Sequence, residues 1–460
     1  MRKAERNRGM KKMFLLLGLT LAMLEGCAKY HRMPLDPSAV SRQLQPLAMA
    51  DIRILAKNIK HPILKPVRFN DRDGLSPDEA GVLAVLVNPE LRAVRDQKGL
   101  AEAQVFQAGI LPNPQISLSL DVPTGGSTNG AVNAFGLGLG WDFSSLISRG
   151  ARLNAARRHA ASVDLQVAWQ EWQVAQAARL DVYRLLFIQK QLILAKKTER
   201  QLNENLQTMK KAFSLGLKTV LEVNAAKMAA QNARNTVLTF EQQQLRERHR
   251  LNRTLGLPPE QIVPLERNTS LPLWQHLPGY QELIRGLANR RLDLLALKKG
   301  YESQEALVRA AILSQFPRIN IGLNHARDTG NVVTTGFAVS VDLPFFDRNQ
   351  GRIAVERADR RRLFDEYVAR VFQVRSSVAA LLGDMASIKK QLDAADESVN
   401  LSSQLVKSYK QALGEGNADI VTYNNLRNDL ETRRLGVLKL KRDLTELGIA
   451  LEIAAGEYLH

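Results

Sequence analysis

The chain has 460 residues, of which 45% are hydrophobic and 6% aromatic, and its formal net charge is +18. This hydrophobic content suffices for an extensive core and argues against a chain that is disordered throughout. The Lys and Arg residues alternate with Asp and Glu along helical faces and form no dense basic tract with aromatic residues between them, a pattern that argues against nucleic-acid binding.

The N-terminus has the pattern of a secretory signal. Basic residues between Arg2 and Lys12 precede the apolar run "MFLLLGLTLAML" at 13–24, which is too short to span a bilayer comfortably. The next four residues, "LEGC", resemble a bacterial lipobox, although Glu25 stands where a small or apolar residue is usual. We therefore predict a signal peptide over 1–26 and acylation of Cys27, with ordinary signal-peptidase cleavage as the alternative.

Cys27 is the single cysteine of the chain. A disulfide within one chain and a thiolate metal cluster are therefore excluded.

The remainder of the chain contains two similar halves. Strand ends, mid-helix glycines and terminal glycines recur 200 residues apart, as in the pairs Asp142 and Asp342, Gly216 and Gly416, and Gly256 and Gly456. This offset predicts an internal two-fold repeat. We divide the chain into an N-terminal extension over 27–80, a first repeat over 81–256, a proline-rich linker over 257–280 and a second repeat over 281–460.

Each repeat is predicted to contain a helix, a β-hairpin and long helices, in that order. The first repeat has a helix near 89–109, strands at 114–120 and 135–143, and a helix that starts near Arg152 and runs to 215, since no Gly or Pro occurs between 151 and 215. The second repeat has a helix near 281–314 and strands at 317–323 and 335–343. Its long helices are expected to bend or break at four glycines: Gly383, Gly414, Gly436 and Gly448.

The apolar residues of the long helices recur at helical spacing, which predicts packing surfaces. Trp169 and Trp172 belong to this pattern and are interpreted as core residues. A helix over 151–215 would extend about 100 Å, far more than a small domain could cover.

The four strands alternate apolar residues with small or polar ones, which is typical of membrane β-barrels. In the second strand the apolar set is expected to face lipid, and the glycines and Asp142 to face the lumen; that set is Phe135, Leu137, Leu139, Trp141 and Phe143. Four strands cannot close a barrel, because the smallest membrane barrels need about eight. Several chains are therefore expected to share one barrel and one layer of helices.

These features resemble the TolC family of outer-membrane efflux proteins. The resemblance covers the chain from about residue 80 onward and rests on the doubled plan, on "LPFFDRNQGRIAVERA" after the fourth strand, and on the turn segments "SLGLKTVLEVNAAK" and "LGEGNADIVTYNNL". It implies a mainly α protein with a small β part. It further implies a homotrimer that shares a twelve-stranded transmembrane β-barrel, continued by a long periplasmic α-helical barrel.

The resemblance also implies location and partners. The trimer would be the passive exit duct of a tripartite exporter, in the lipid of a Gram-negative outer membrane, with the extension over 27–80 in the periplasm. A periplasmic adaptor protein and an inner-membrane pump would be its partners, with the adaptor docking at the helical tips. The predicted adaptor-contact residues are Leu215, Gly216, Leu217, Thr219, Val220, Gly416, Asn417, Asp419 and Ile420.

Family members close the duct near these tips with acids, an arginine and a tyrosine. Here Leu413 and Ala418 occupy the positions of that tyrosine and arginine, and Thr422 replaces the acid that matches Glu222. A gate in this chain must therefore use other residues, and the candidates are Glu222, Asp419, Tyr423 and Arg427.

Catalytic chemistry is not expected. The seven histidines are isolated, and the sequence contains no phosphate-binding or dinucleotide motif. We predict no enzyme activity, no cofactor and no metal site. The lipobox and the long extension favour efflux of small molecules or metal ions by a pump of the resistance-nodulation-division class. The alternatives are a duct for type I protein secretion and a coiled-coil scaffold that forms no channel.

Overall fold

The computed structural model describes residues 29–45, 49–70, 73–127, 129–266, 269, 271, 272, 274, 276 and 278–459. The predicted signal peptide and Cys27 lie outside these residues. The chain forms two compact units, 1–46 and 47–460. In the first unit, helix α1 is Pro37–Gln43 and begins at the N-cap Asp36, whose side chain accepts a hydrogen bond from the backbone N–H of Ser38.

The second unit follows the predicted doubled order. After α2 (Met49–Lys57) and α3 (Pro77–Val87), the first repeat has α4 (Pro89–Gly109), β1 (Gln115–Asp121), β2 (Ala134–Asp142), α5 (Ser145–Ser214) and α6 (Val220–Leu255). After α7 (Tyr280–Ile284) and α8 (Leu287–Arg290), the second repeat has α9 (Leu292–Leu313), β3 (Ile319–Arg327), β4 (Val333–Val341), α10 (Gln350–Gly414) and α11 (Ile420–Ala455). The mainly α fold with a small β part and an internal repeat is confirmed.

The two longest helices are α5, with 70 residues, and α10, with 65. At 1.5 Å per residue each extends about 100 Å. Among the described residues, no helix combines the length and the hydropathy that a membrane-spanning helix requires.

Three details differ from the sequence prediction. Helix α5 begins at Ser145 instead of near Arg152, because Asp142 Oδ1 accepts hydrogen bonds from the backbone N–H groups of Ser144 and Ser145 and so satisfies the first turn. The predicted helix over 281–314 is interrupted by Gly286, whose φ is +76°.

The third difference concerns the glycines expected to bend the helices. Gly383, Gly436 and Gly448 lie inside the uninterrupted helices α10 and α11, and Gly414 is the last residue of α10. A glycine within a helix costs about 1 kcal/mol relative to alanine, which the packing of a long helix readily outweighs.

The sheet has the strand order β1-β2-β3-β4, and every neighbouring pair is antiparallel. Strands β2 and β3 join the two repeats, with Gly140 opposite Gly322 and Leu139 opposite Leu323. The sheet is therefore continuous across the repeat boundary.

The core of the second unit is centred on α5. Trp172 is completely buried and meets the ring of Tyr458 edge-on at 4.8 Å, while Trp169 lies under the guanidinium of Arg291 at 4.5 Å. Both tryptophans contact protein side chains, as their spacing predicts. Helix α3 was not predicted, although Ser76, Pro77 and Glu79 have the pattern of a helix start. It is almost wholly buried, and the boundary proposed between 80 and 81 falls inside it.

Within the second unit, residues 49–70 of the N-terminal extension are attached to α5 through His61. Its Nδ1 accepts hydrogen bonds from the backbone N–H groups of Ile63 and Leu64, both at 3.0 Å, so the ring is neutral and its Nε2–H donates to the carbonyl oxygen of Ala168 at 2.9 Å. Burial lowers the pKa of His61 below its ordinary value of 6.5, although Ala168 and Glu171 oppose this shift.

This depressed pKa predicts a pH-dependent attachment. Because the folded state disfavours the protonated ring, the contribution of His61 to stability is complete above pH 6.5 and is lost as the pH falls below that value. Limited proteolysis of residues 49–70 should therefore be faster at about pH 5 than at about pH 7.5. The His61→Gln variant, which cannot titrate, should lose most of this difference; an unchanged difference would contradict the assignment.

Candidate functional site: the sheet and the helical turns

The two faces of the sheet differ completely in chemistry. Strand register places the large apolar residues on one face, here called the apolar face: Ile116, Leu118, Leu120, Phe135, Leu137, Leu139, Trp141, Ile319, Ile321, Leu323, Phe337, Val339 and Val341. Leu118 is 79% exposed and Phe337 65% exposed. No described element of the chain covers this face, and water is a poor solvent for it.

The opposite face, here called the small face, carries glycine, serine, alanine, threonine and asparagine. Gly136 lies opposite Ser119, and an added Cβ at Gly136 would come within 2.5 Å of Ser119 Oγ. Gly336 makes the same kind of room for Asn324, whose Oδ1 would lie 2.7 Å from an added Cβ. Glycines on the small face therefore make room for side chains from the neighbouring strands.

Aromatic residues mark the end of the sheet next to the helices. Trp141 Nε1 donates to the carbonyl oxygen of Pro112 at 2.9 Å, and its ring meets Phe143 edge-on at 5.8 Å. Phe345 is 71% exposed and Phe346 96% exposed. Such rings at one end of an apolar band are typical of a membrane interface.

Each long helix ends in the same turn at equivalent positions. At the first turn, comprising residues 213–223, Gly216 has φ +73°, its N–H donates to the carbonyl of Phe213, and the N–H of Leu217 donates to the carbonyl of Ala212. At the second turn, residues 413–423, Gly416 has φ +76°. The N–H of Asn417 donates to the carbonyl of Ala412. Both are Schellman motifs, which end a helix where glycine permits a left-handed residue.

The helices that follow the turns are capped differently. Thr219 and Glu222 form a capping box at the first turn, and Glu222 Oε1 also pairs with Lys218 Nζ at 2.8 Å. At the second turn Asp419 Oδ1 accepts a hydrogen bond from Thr422 N at 2.8 Å. The first turn therefore has its acid at the third helical position, and the second turn has its acid at the N-cap. This difference explains why Thr422 stands at the position equivalent to Glu222.

Glu222 is held by its own turn. Hydrogen bonds from Lys218 and Thr219 lower the pKa of Glu222 to about 2, and hydrogen bonds from Thr422 lower the pKa of Asp419. Tyr423 and Arg427, one helical turn apart on α11, stack with the guanidinium 5.4 Å from the ring centroid. The four gate candidates therefore lie close to the two turns.

The two turns expose different surfaces. The first presents four large apolar side chains, with Leu215 73%, Leu217 72%, Val220 60% and Leu221 76% exposed. At the second turn the predicted contact Ile420 packs in part against a cluster formed by α5 and α6. Sequence reasoning omitted Leu221, although its position directly after Val220 could have indicated it.

The left-handed glycines permit a matched test. Valine at Gly416 would have to adopt φ +76°, whereas valine at Gly414, the last residue of α10 with nothing within 4 Å, would keep a helical backbone. Gly416→Val is expected to destabilise the turn by about 1–2 kcal/mol. Hydrogen exchange over 410–423 should accelerate more in Gly416→Val than in Gly414→Val, and trimer formation should persist; equal acceleration would contradict the role of the glycine.

Among the described residues, no group of three or more His, Cys, Asp or Glu side chains is placed to hold a metal ion.

Comparison with known proteins was made for both the sequence and the fold. The sequence pattern of the family described as "Outer membrane efflux protein" matches residues 82–257 and 283–457. The cobalt-zinc-cadmium resistance protein CzcC of Cupriavidus metallidurans is 25% identical over 299 residues, which cover 64% of this chain and 69% of that protein.

A second curated relative and one solved structure add to this. The probable outer membrane lipoprotein SilC of Salmonella typhimurium is 23% identical over 196 residues, 39% of this chain and 41% of that protein. The crystal structure of CusC, described in connection with transmembrane channel formation, superposes with a TM-score of 0.67 at 17% identity and covers 88% of this chain and 99% of that one. The fold is thus shared over nearly the whole length of CusC.

Proposed function

The chain belongs to the outer membrane efflux protein family, and on that premise we propose that three copies form the passive exit duct of a tripartite exporter of metal ions or small molecules. Members of this family are outer-membrane channels and not enzymes. The protein is accordingly an outer-membrane protein that extends into the periplasm.

The sheet is the single observation that carries this proposal. Its apolar face is exposed, and in the described part of the chain β1 and β4 each have an unpaired edge. A sheet of this kind is stable when its edges pair with other copies and its apolar face meets lipid. Three copies supply twelve strands, and closure places the small face around a lumen.

The helices extend the same arrangement away from the membrane. Helix α10 exposes large apolar side chains along its length, including Phe364, Val368 and Phe372, which are 48%, 50% and 72% exposed. Neighbouring copies would bury them and form the helical barrel. The homotrimer is proposed on this basis.

The helical turns are proposed as the adaptor contact. The four exposed apolar side chains of the first turn form a small hydrophobic patch at the end of a helix pair, and the second turn adds polar groups such as Asn417 and Asp419. Because Glu222 is held by its own cap, Tyr423 and Arg427 are the stronger candidates for a gate. An adaptor that covers the first turn would then bind within reach of the gate.

The substrate and the lipid anchor are inferred from the relatives. CzcC is named for resistance to cobalt, zinc and cadmium, and SilC is described as a probable lipoprotein. We extend both properties to this chain: efflux of divalent metal cations, and anchoring through acylated Cys27. The lipobox and the long extension are the reason to propose a pump of the resistance-nodulation-division class. The alternative is a duct for type I protein secretion; the toxin and drug export protein A of Aggregatibacter actinomycetemcomitans, 18% identical over 272 residues, keeps that class open.

A complementation experiment tests the function. Deletion of the gene should lower tolerance to Co²⁺, Zn²⁺ or Cd²⁺, and the wild-type gene should restore it. A chain with Leu217→Asp and Leu221→Asp should form trimers but restore little tolerance, because two charges replace the apolar patch and adaptor affinity should fall by about tenfold or more.

The matched control is Leu217→Met with Leu221→Met, which changes the same two positions but keeps the patch apolar and should retain function. Unchanged metal tolerance together with lost secretion of one protein would favour the type I alternative. If the protein stays soluble after membrane fractionation, the duct would be contradicted, and the coiled-coil scaffold that forms no channel would remain as the alternative.

A further inference from the structure

Three polar residues, His325, Arg327 and Thr335, interrupt the apolar face of the sheet near its loop end. His325 lies opposite Leu137 and Thr335, and Arg327 lies opposite Phe135 and Val333. Since paired residues of antiparallel strands share a face, both side chains are on the apolar face. Strand β3 is flanked by β2 and β4 of the same chain. A neighbouring copy would pair with the edge strands β1 or β4 and would therefore not cover His325 and Arg327.

The Arg327 guanidinium is fixed in place with donors to spare. It lies 5.1 Å from the centroid of the Phe135 ring, and its Nη2 donates to the carbonyl oxygen of Asn133 at 2.9 Å. Its Nε is shielded from solvent and has no hydrogen-bond partner among the described residues. A guanidinium held against a ring loses little rotational freedom on binding an anion.

His325 stands beside this cation. Its ring centroid is 6.2 Å from that of Phe135, and Nδ1 is 2.8 Å from Thr335 Oγ1, which leaves Nε2 for a ligand. The nearest carboxylate along the chain, Asp328, accepts a hydrogen bond from the backbone N–H of Val332 in the adjoining turn. The two side chains thus present nitrogen donors on a membrane-facing surface.

The depth of the pair indicates what it meets. Phe135 pairs with Arg327 and therefore lies at the same depth in the sheet. It is six residues along β2 from Trp141, which lies at the helix-proximal end. At about 3.4 Å per residue this separation spans about 20 Å of strand, or roughly 15 Å of membrane depth after strand tilt. Arg327 is also the last residue of β3, so it lies in the loop-side part of an apolar band about 25 Å tall, and an arginine there can extend its guanidinium towards the lipid head groups.

We propose that Arg327 and His325 bind a phosphate group of the phosphorylated glycolipid in the outer leaflet. The assignment to that leaflet rests on the proposed function, since the barrel arrangement directs the loop end of the sheet away from the periplasmic helices. A phosphate accepts several hydrogen bonds from a guanidinium at once, and these charge-assisted bonds are among the strongest in proteins. Bound glycolipid would fix the height of the barrel in the membrane.

Lipid binding to the purified trimer tests the proposal. The probes are lipid A with its phosphates, the same lipid after phosphatase treatment, and phosphatidylglycerol, each counted per trimer by native mass spectrometry. Phosphorylated lipid A should bind best, and Arg327→Gln should weaken its binding by about tenfold. Arg327→Lys should lose less, because it keeps the charge but not the planar fork.

Arg318→Gln is the matched control, since it removes one exposed arginine at the other end of β3. Its glycolipid binding should equal that of the wild type. Equal binding by wild type and Arg327→Gln, or by phosphorylated and dephosphorylated lipid A, would overturn the site; equal binding of phosphatidylglycerol would overturn the choice of glycolipid. Arg327→Gln should still complement the metal-sensitive deletion, so this proposal and the proposed function can fail separately.

Discussion

Replacing Glu452 by glutamine is expected to lower the stability of the folded chain by about 3–5 kcal/mol, because it leaves a buried arginine without its full counter-charge. Glu452 Oε2 lies 2.6 Å from Arg179 Nη1 and accepts a hydrogen bond from Gln176 Nε2 at 3.0 Å, and Oε1 accepts one from Leu459 N at 3.1 Å. Arg179 is 1% exposed and Glu452 is completely buried.

The charge of the buried Arg179 depends on the acids around it. Burial by itself lowers the pKa of Arg179, but the nearby charges of Glu452 and Asp78 reverse the effect and raise it. Asp78 Oδ1 lies 2.9 Å from Arg179 Nε, and the guanidinium lies 4.9 Å from the Tyr458 ring. The cluster thus joins α3, α5 and α11, and so ties the extension and both repeats together.

Chemical denaturation of the purified protein measures the effect. Glu457→Gln is the control, because Glu457 is five residues away but partly exposed and pairs with Arg290 at 3.0 Å; its loss should be about 1 kcal/mol or less. The double change Arg179→Met with Glu452→Leu should recover much of the stability lost by Glu452→Gln, since it removes both charges. A loss of less than about 1 kcal/mol for Glu452→Gln would show that the pair is not essential.

An arginine on the apolar face should be nearly as damaging. Leu323 lies at the centre of the sheet, between Leu139 and Phe337. Leu323→Arg is expected to cost about 2–4 kcal/mol, the cost of arginine near the middle of a bilayer on the lipid side of a barrel. Folding into lipid vesicles, followed by the heat-dependent mobility of the trimer, measures the loss.

The next residue supplies the control. Asn324 lies on the small face over Gly336, so Asn324→Arg should place its charge in the aqueous lumen and fold with nearly wild-type efficiency. Equal damage by the two substitutions would contradict the assignment of lipid and lumen faces, and a reversed order would exchange them.

The sequence predicted the doubled architecture because its signals are local. Gly216 and Gly416 end helices through left-handed turns, and alternation within each strand separates the two faces without reference to the rest of the chain. Helical spacing likewise placed Trp172 in the core. Each of these features depends on a few neighbouring residues, which is why a pattern in the sequence sufficed.

What the sequence could not predict depends on contacts between distant segments. Arg179 and Glu452 are separated by 273 residues, and nothing in either segment indicates the other. Ile420 is partly buried because the second turn packs on α5 and α6, whereas Leu221 in the first turn is exposed. The two-fold repeat alone does not reveal this difference between the turns. The sequence also allowed two roles for Glu222, because an acid that caps the helix and an acid that forms a gate would occupy the same position.

The most direct test of the duct is the water accessibility of two adjacent strand positions. Leu118 and Ser119 in β1 lie on the apolar and small faces, respectively. In intact cells, a charged thiol reagent that cannot cross membranes should label Ser119→Cys at least roughly tenfold faster than Leu118→Cys, with the unsubstituted chain as background for Cys27. Equal labelling, or faster labelling of Leu118→Cys, would contradict a barrel whose small face lines the exit path.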